Sequence, residues 1–206
     1  MKIFFSFLTL LVLGTSLKIF AADNNSAKRK GQIGITFSSF GSNDLLSFAK
    51  TIGGPGFKGN GYTAFGLAYV YKLNETLDFE TGIEYSYHKI IIEPNLPLIY
   101  HGTPTLVRFS LINIPATIHI NFLRYFFLNS GLFLGFGGSN PGEINRQNGI
   151  GINLGLGLKY EFRGGFSFFV NPYTKVHSLI PLTSIGGRGR LIESGFRFGF
   201  LARLNK

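Results

Sequence analysis

Residues 151–162 read GINLGLGLKYEF. The even positions are Ile152, Leu154, Leu156, Leu158, Tyr160 and Phe162, and the odd ones are Gly151, Asn153, Gly155, Gly157, Lys159 and Glu161. Alternation this strict belongs to a β-strand with two unlike faces. A soluble protein turns the apolar face inward and shows Gly, Lys and Glu to water, whereas a membrane barrel does the reverse. Which face lies inside therefore decides the fold.

The pattern recurs along the chain. Strands are expected at about 32–40, 62–73, 77–89, 105–121, 125–137, 149–162, 166–178 and 191–204. The third has Leu77, Phe79, Thr81, Ile83, Tyr85 and Tyr87 on one side and Asp78, Glu80, Gly82, Glu84, Ser86 and His88 on the other. The eighth sets Ile192, Phe196, Phe198, Phe200 and Leu204 against Glu193, Gly195, Arg197, Gly199 and Arg203. No clear apolar face carries a charge. A lipid-facing Lys or Arg costs about 2–4 kcal/mol at the bilayer midplane, but a soluble core excludes charge as well, so the choice rests on three further features.

Aromatic residues gather at the ends of the apolar faces: Tyr71, Phe79, Phe122, Phe126, Tyr160, Phe162 and Phe166 by the short connections, and Tyr85, Tyr87 and Phe136 by the long ones. Two such girdles mark the two membrane interfaces. The glycines of the polar faces (Gly151, Gly155, Gly157, Gly195, Gly199) weaken a water-exposed strand with no return. In the narrow lumen of an eight-stranded barrel they make room, here for Arg197, Lys159 and Glu80. Finally, the connections alternate in length. Those near residues 74–75, 123–124 and 164–165 are tight, whereas 41–61, 90–104, 138–148 and 179–190 are long, as in barrels with periplasmic turns and outer loops. The expected fold is all-β, an eight-stranded antiparallel up-and-down transmembrane β-barrel with its polar faces inward.

The ends and the composition agree. The chain opens MKIFFSFLTLLVLGTSLKIFAADNN, with a Lys, an apolar run and then two alanines. Residues 1–22 read as a cleaved secretory signal peptide, 23–30 as a polar leader and 31–206 as the barrel domain, exported to a bacterial outer membrane. Without cysteine there is no disulfide and no lipoprotein anchor. Twenty-eight Gly, 23 Phe and 9 Tyr favour β structure. The formal charge of +10 falls to about +8 when the signal leaves. For an exported chain it points to lipid phosphates and not to nucleic acid.

Two irregularities are expected. In the fourth strand Val107 and Phe109 are odd, yet from Ile112 the apolar set is even (Ile112, Ile114, Ala116, Ile118, Ile120); an extra residue near Leu111, a β-bulge, produces such a slip. Pro115 and Pro172 cannot donate to a ladder and predict local defects in their strands.

The segments IPATIHINF (114–122), YFFLNSGLFLGF (125–136), NPYTKVHSLIP (171–181) and RLIESGFRFGF (190–200) resemble outer-membrane β-barrel proteins of Bacteroidota, the PorT-like group. The resemblance spans about the whole mature chain. It implies an eight-stranded outer-membrane barrel and, for some members, a place in a secretion or gliding apparatus. One departure is the end ARLNK, which leaves Phe200 as the nearest aromatic residue to the C-terminus.

Candidate functional residues are polar and inward. Asp78, Glu80, Glu84, Lys159, Glu161, Arg197 and Arg203 are expected to pair across the lumen, their mixed signs suiting a plug better than a selective pore. His88 and His177 should face the lumen near the outer rim and His119 nearer the periplasm, with His101 in a loop. None has metal-ligand spacing, so neither metal nor cofactor is expected. Glu84, Ser86 and His88 invite a hydrolase reading, but same-face neighbours stand roughly 6.6 Å apart along a strand, which disfavours hydrogen bonds between them. Arg188 and Arg190 in GGRGR are candidate contacts for lipopolysaccharide phosphates. The expected role is that of a monomeric barrel, structural or interacting through its loops with outer-membrane lipid, lipopolysaccharide or an envelope protein, without catalytic residues. The alternatives are a lipid A deacylase or acyltransferase and a small-solute channel.

Overall fold

A computed structural model describes residues 31–47, 56–94, 103–137, 147–182 and 189–204. The expected signal peptide and leader, His101 and Arg188 lie outside the described residues. Eight strands follow one another: β1 (Gly31–Ser47), β2 (Gly56–Lys72), β3 (Leu77–Glu93), β4 (Thr105–Phe122), β5 (Phe126–Phe136), β6 (Gly149–Glu161), β7 (Phe166–Pro181) and β8 (Gly189–Arg203). Each pairs antiparallel with its sequence neighbour, and β1 pairs with β8 to close the ring. This is the eight-stranded up-and-down barrel that the alternation predicts.

The faces fall as a membrane barrel requires. Leu156 is 52% exposed, as are its outward neighbours Leu154 and Leu158 to a similar degree, while Asn153 is buried against Thr117. Ile33, Ile35, Phe65, Leu67, Ile83, Ile112, Leu132 and Phe200 continue the same exposed apolar belt around the ring. Polar groups fill the inside: Glu80, Ser86, His88, Thr117, His177 and Glu193 are all completely buried. At the short-turn end the outward rings stack in pairs, Phe122 on Phe126, Phe166 on Phe200 and Tyr160 edge-on to Phe162. That is the first girdle; Tyr85 and Phe136 stand exposed near the other end.

The lumen glycines make room, but not for the charges named above. An added Cβ at Gly151 would meet the Phe133 ring, at Gly157 the Phe127 ring, at Gly199 the Phe169 ring and at Gly195 the Tyr62 hydroxyl. Three of these rings belong to the residue directly across the ladder: Phe133 opposite Gly151, Phe127 opposite Gly157 and Phe169 opposite Gly199. A lumen too narrow for eight large side chains at one level is thus filled by one ring lying over the bare backbone of the next strand.

No bulge occurs at Leu111. The register of β4 does not shift against β3 or against β5, and Val107, Phe109 and Leu111 point inward in strict alternation with Arg108, Ser110 and Ile112. The apparent slip of phase is a change in lumen chemistry: at this level the lumen is apolar and the outside is not. At Pro115 the β3–β4 pairs stop at Thr81–Ala116 and resume at Glu84–Asn113 without a shift, while the pairing with β5 is continuous. At Pro172 the β6–β7 pairs stop at Gly155–Tyr173 and resume at Leu158–Val170 without a shift.

Register shifts occur instead at three other places. One extra residue sits in β1 at Phe40–Gly41 and one in β2 at Asn60–Gly61, and two sit in β7 at residues 177–179. Left-handed backbone marks each: φ is 58° at Phe40, 85° at Gly61 and 49° at Ser178. Beyond these bulges β1, β2 and β7 carry on, so the barrel wall stands taller at the long-loop end than alternation alone suggests.

Candidate functional site

The lumen is layered. At the long-loop end Ile90, Val107, Phe109, Leu111 and Leu191 form an apolar cluster, with Leu45, Phe57 and Ile92 packed on it. At the other end Ala68, Val70, Phe127, Phe169 and Leu201 form a second. Between and around them lies the polar network.

Most of the residues named from sequence come together in it. Glu80 is held by Arg197 at 2.6 Å and by His119 at 3.2 Å. His119 stacks on Phe127 and Arg197 lies over Phe169, so this charged group rests on the second apolar cluster. Glu84 receives Lys175 at 2.5 Å and the Asn113 amide at 3.1 Å. Asp78 pairs with Lys159 at 3.2 Å, and Lys159 reaches Glu161 at 3.5 Å. Arg203 and Glu161, 3.4 Å apart and both substantially exposed, close the short-turn rim. Arg190 sits half-buried at the start of β8.

Two charged residues belong to the network beyond those seven. Lys175 bridges Glu84 and Glu193, 3.6 Å from the latter, and Glu193 also accepts a hydrogen bond from the Tyr173 hydroxyl. Both sit on lumen faces; the signal was their parity with Tyr173 and Arg197, obscured in the seventh strand by Pro172 and the bulge that follows.

Glu193 also anchors a histidine cluster. Its Oε2 lies 3.5 Å from Nε2 of His88 and 3.5 Å from Nε2 of His177. The three ligand-type atoms fall within 4.8 Å of one another, the one such grouping among the described residues. Ligands at about 2.0–2.1 Å from a zinc ion would be spaced by roughly 3.4 Å, so the dimensions suit a metal. The hydrogen bonding does not. Asn43 is fixed by donating to the Lys89 carbonyl and accepting from the Gly61 amide, which aims its NH2 group at His88 Nδ1, 3.5 Å away. That leaves the His88 proton on Nε2, facing Glu193, where a metal would need a lone pair.

The same proton bears on hydrolysis. His88 Nε2 is 3.0 Å from Ser86 Oγ, so neighbours two apart on this strand do hydrogen-bond, because the imidazole folds back along the strand and spans the gap. A relay needs the nucleophile on one ring nitrogen and the acid on the other. Here Ser86 and Glu193 both face Nε2. His88 is further wedged between Tyr62 and Phe109, under the apolar cluster. On the outside, Thr174 and Ser194 hydrogen-bond to each other at 3.0 Å. The geometry is that of a cross-linked plug.

No family model and no curated protein matches the chain. Solved barrels do. Ail, the attachment invasion locus protein of Yersinia pestis, in complex with the heparin analogue sucrose octasulfate, is 12% identical with a TM-score of 0.39, over 85% of this chain and 99% of that one. The outer membrane protein AlkL in DMPC bilayers is 9% identical with a TM-score of 0.44, over 85% and 88%. Ail in a phospholipid nanodisc gives 15% and 0.35, over 86% and 100%. At such identities the likeness is one between small barrels, and neither protein's ligand passes to this chain.

Proposed function

We propose that this chain is an integral protein of a bacterial outer membrane, closed to solutes, that acts through its outer end as a structural or surface-interacting component. The observation that carries this is the sealed lumen inside an apolar belt. A carbohydrate-sized solute would have to pass two apolar clusters and break the buried pairs of Glu80 with Arg197 and Glu84 with Lys175. The belt meets lipid, the short turns face the periplasm, and the connections from β1 to β2, β3 to β4, β5 to β6 and β7 to β8 are the parts left to meet a partner. Lipopolysaccharide, with Arg188 and Arg190 as contacts, and an envelope protein are the partners proposed. The PorT-like resemblance adds membership of a secretion or gliding apparatus, with the barrel as a monomer and no catalytic role.

Proteoliposomes test the seal. Vesicles carrying the folded barrel should swell in isotonic arabinose no faster than empty vesicles. Swelling at a porin's rate would overturn the plug and restore the channel reading.

A further inference from the structure

At the long-loop end of β2, β3 and β4 the register gathers three cations on the outward face. Lys89 and Arg108 are cross-strand partners, and both are exposed. Lys58 pairs with Ile91, which places Lys89 and Glu93 on its two diagonals. The Lys89 ammonium lies 6.0 Å from the Tyr87 ring, and none of the three makes an ion pair among the described residues. Two acids share this end: Asp44 accepts the Gly59 amide at 3.1 Å beside Lys58, and Glu93 is exposed at the end of β3, so the cations outnumber them and the directly opposed Lys89 and Arg108 face each other.

Like charges directly opposed across a ladder destabilise it. A sheet that places Lys opposite Arg, with a further Lys on the diagonal, is arranged around an anion. Its height says which kind. The outward residues of β3 from Leu77 to Tyr87 rise about 25 Å once strand tilt is allowed for, the height of the apolar band of such barrels. Lys89 and Arg108 stand one outward position beyond Tyr87 and Ser110, at the level of the lipid headgroups. Beneath them Tyr85 and Ser110 share a hydrogen bond of 2.7 Å, and exposed Phe65, Ile83 and Ile112 lead down into the belt. A ligand that fits is anionic at its head and apolar below.

We propose that Lys58, Lys89 and Arg108 cradle a phosphate of a lipid A molecule in the outer leaflet, with its acyl chains along Phe65, Ile83 and Ile112. The site rests on the outer-membrane reading above and is separate from the GGRGR loop. A zwitterionic phospholipid carries its own ammonium and would leave the opposed Lys89 and Arg108 uncompensated. A lipid A phosphate has no such partner and accepts from Arg and Lys together.

Native mass spectrometry of the detergent-purified barrel, offered bisphosphorylated lipid A, dephosphorylated lipid A or phosphatidylglycerol, tests this. The wild type should retain one bisphosphorylated lipid A, and K89Q/R108Q should retain at least tenfold less, while R124Q/R163Q at the opposite rim retains as much as wild type. Dephosphorylated lipid A should be lost by all. Equal retention by K89Q/R108Q would overturn the cradle, and so would equal retention of phosphatidylglycerol, which would make the patch a general anion surface. Spin labels at Leu156 separate the two levels. A lipid-exposed label with lipid A retention indifferent to K89Q/R108Q sinks the cradle alone, whereas a label shielded from lipid sinks the membrane reading on which it rests.

Discussion

Glu80 and Glu161 are both carboxylates facing an arginine, and their surroundings make them unequal. Glu80 and Arg197 meet at 2.6 Å, Glu80 fully buried and Arg197 nearly so, whereas Glu161 and Arg203 meet at 3.4 Å on an exposed rim. Removing one partner of a buried pair strands the other charge at a cost of about 3–5 kcal/mol, while an exposed pair is worth about 0–1 kcal/mol. Glu80→Gln should therefore lower the urea midpoint of the barrel in micelles sharply, and Glu161→Gln barely. Equal effects would mean that water reaches Glu80. That both residues face inward was legible in sequence, because parity alone settles the face of a strand. Which charge meets which was not: Arg197 and Glu80 lie on β8 and β3, brought together by ring closure, and no spacing along the chain encodes that distance. The glycines show the same limit. Gly151, Gly157 and Gly199 announce a shortage of space, but only the register reveals that Phe133, Phe127 and Phe169 occupy it.

Alternation reads an element well until a bulge changes its phase. The expected first strand stops at residue 40, the second begins at 62 and the seventh stops at 178, and those are the sites of the three register shifts. Beyond the one-residue shifts in β1 and β2 the same strand continues with its parity reversed, and beyond the two-residue shift in β7 with its parity kept, so a period-two pattern is interrupted there although the ladder is not. In β4 the pattern changes without any shift: parity was preserved and chemistry changed, since Phe109 and Leu111 pack into the apolar cluster under the loops while Arg108 leaves the membrane band. Strand β6 offers a direct check of which face meets lipid. The chain has no cysteine, so single spin-labelled cysteines at Leu156 and Asn153 report opposite faces of β6. In bilayers the label at Leu156 should collide freely with oxygen and hardly with a water-soluble relaxer, and the label at Asn153 with little of either. A shielded Leu156 beside a water-exposed Asn153 would reverse the barrel.

The whole molecule holds together as a ring with no free edge. Every strand has a neighbour on both sides, and the β1–β8 seam runs in paired register from Gln32–Arg203 to Ser47–Gly189, broken only by the Phe40–Gly41 bulge. Closure matters because an open sheet unravels from an edge strand that has lost nothing but one ladder, whereas opening a ring requires breaking one complete seam before any strand is freed. The lumen adds ties between strands that are not neighbours: Lys175 of β7 to Glu84 of β3, Arg197 of β8 to Glu80 of β3, and His88 of β3 to Glu193 of β8. A seam cannot open far without pulling these apart, so dodecyl sulfate at room temperature should leave the barrel compact and boiling should unfold it as one unit. On a gel the unheated protein should run as a single band distinct from the boiled one, with no ladder of intermediates between them. Cutting two of these three ties without touching the seam, as in the double substitution Glu84→Gln and Glu193→Gln, should lower the temperature at which the compact band disappears while keeping the change all-or-none. Identical migration before and after boiling would show that the ring is not closed. Graded intermediates in the double variant would show that the lumen pairs, and not the seams, make its unfolding cooperative.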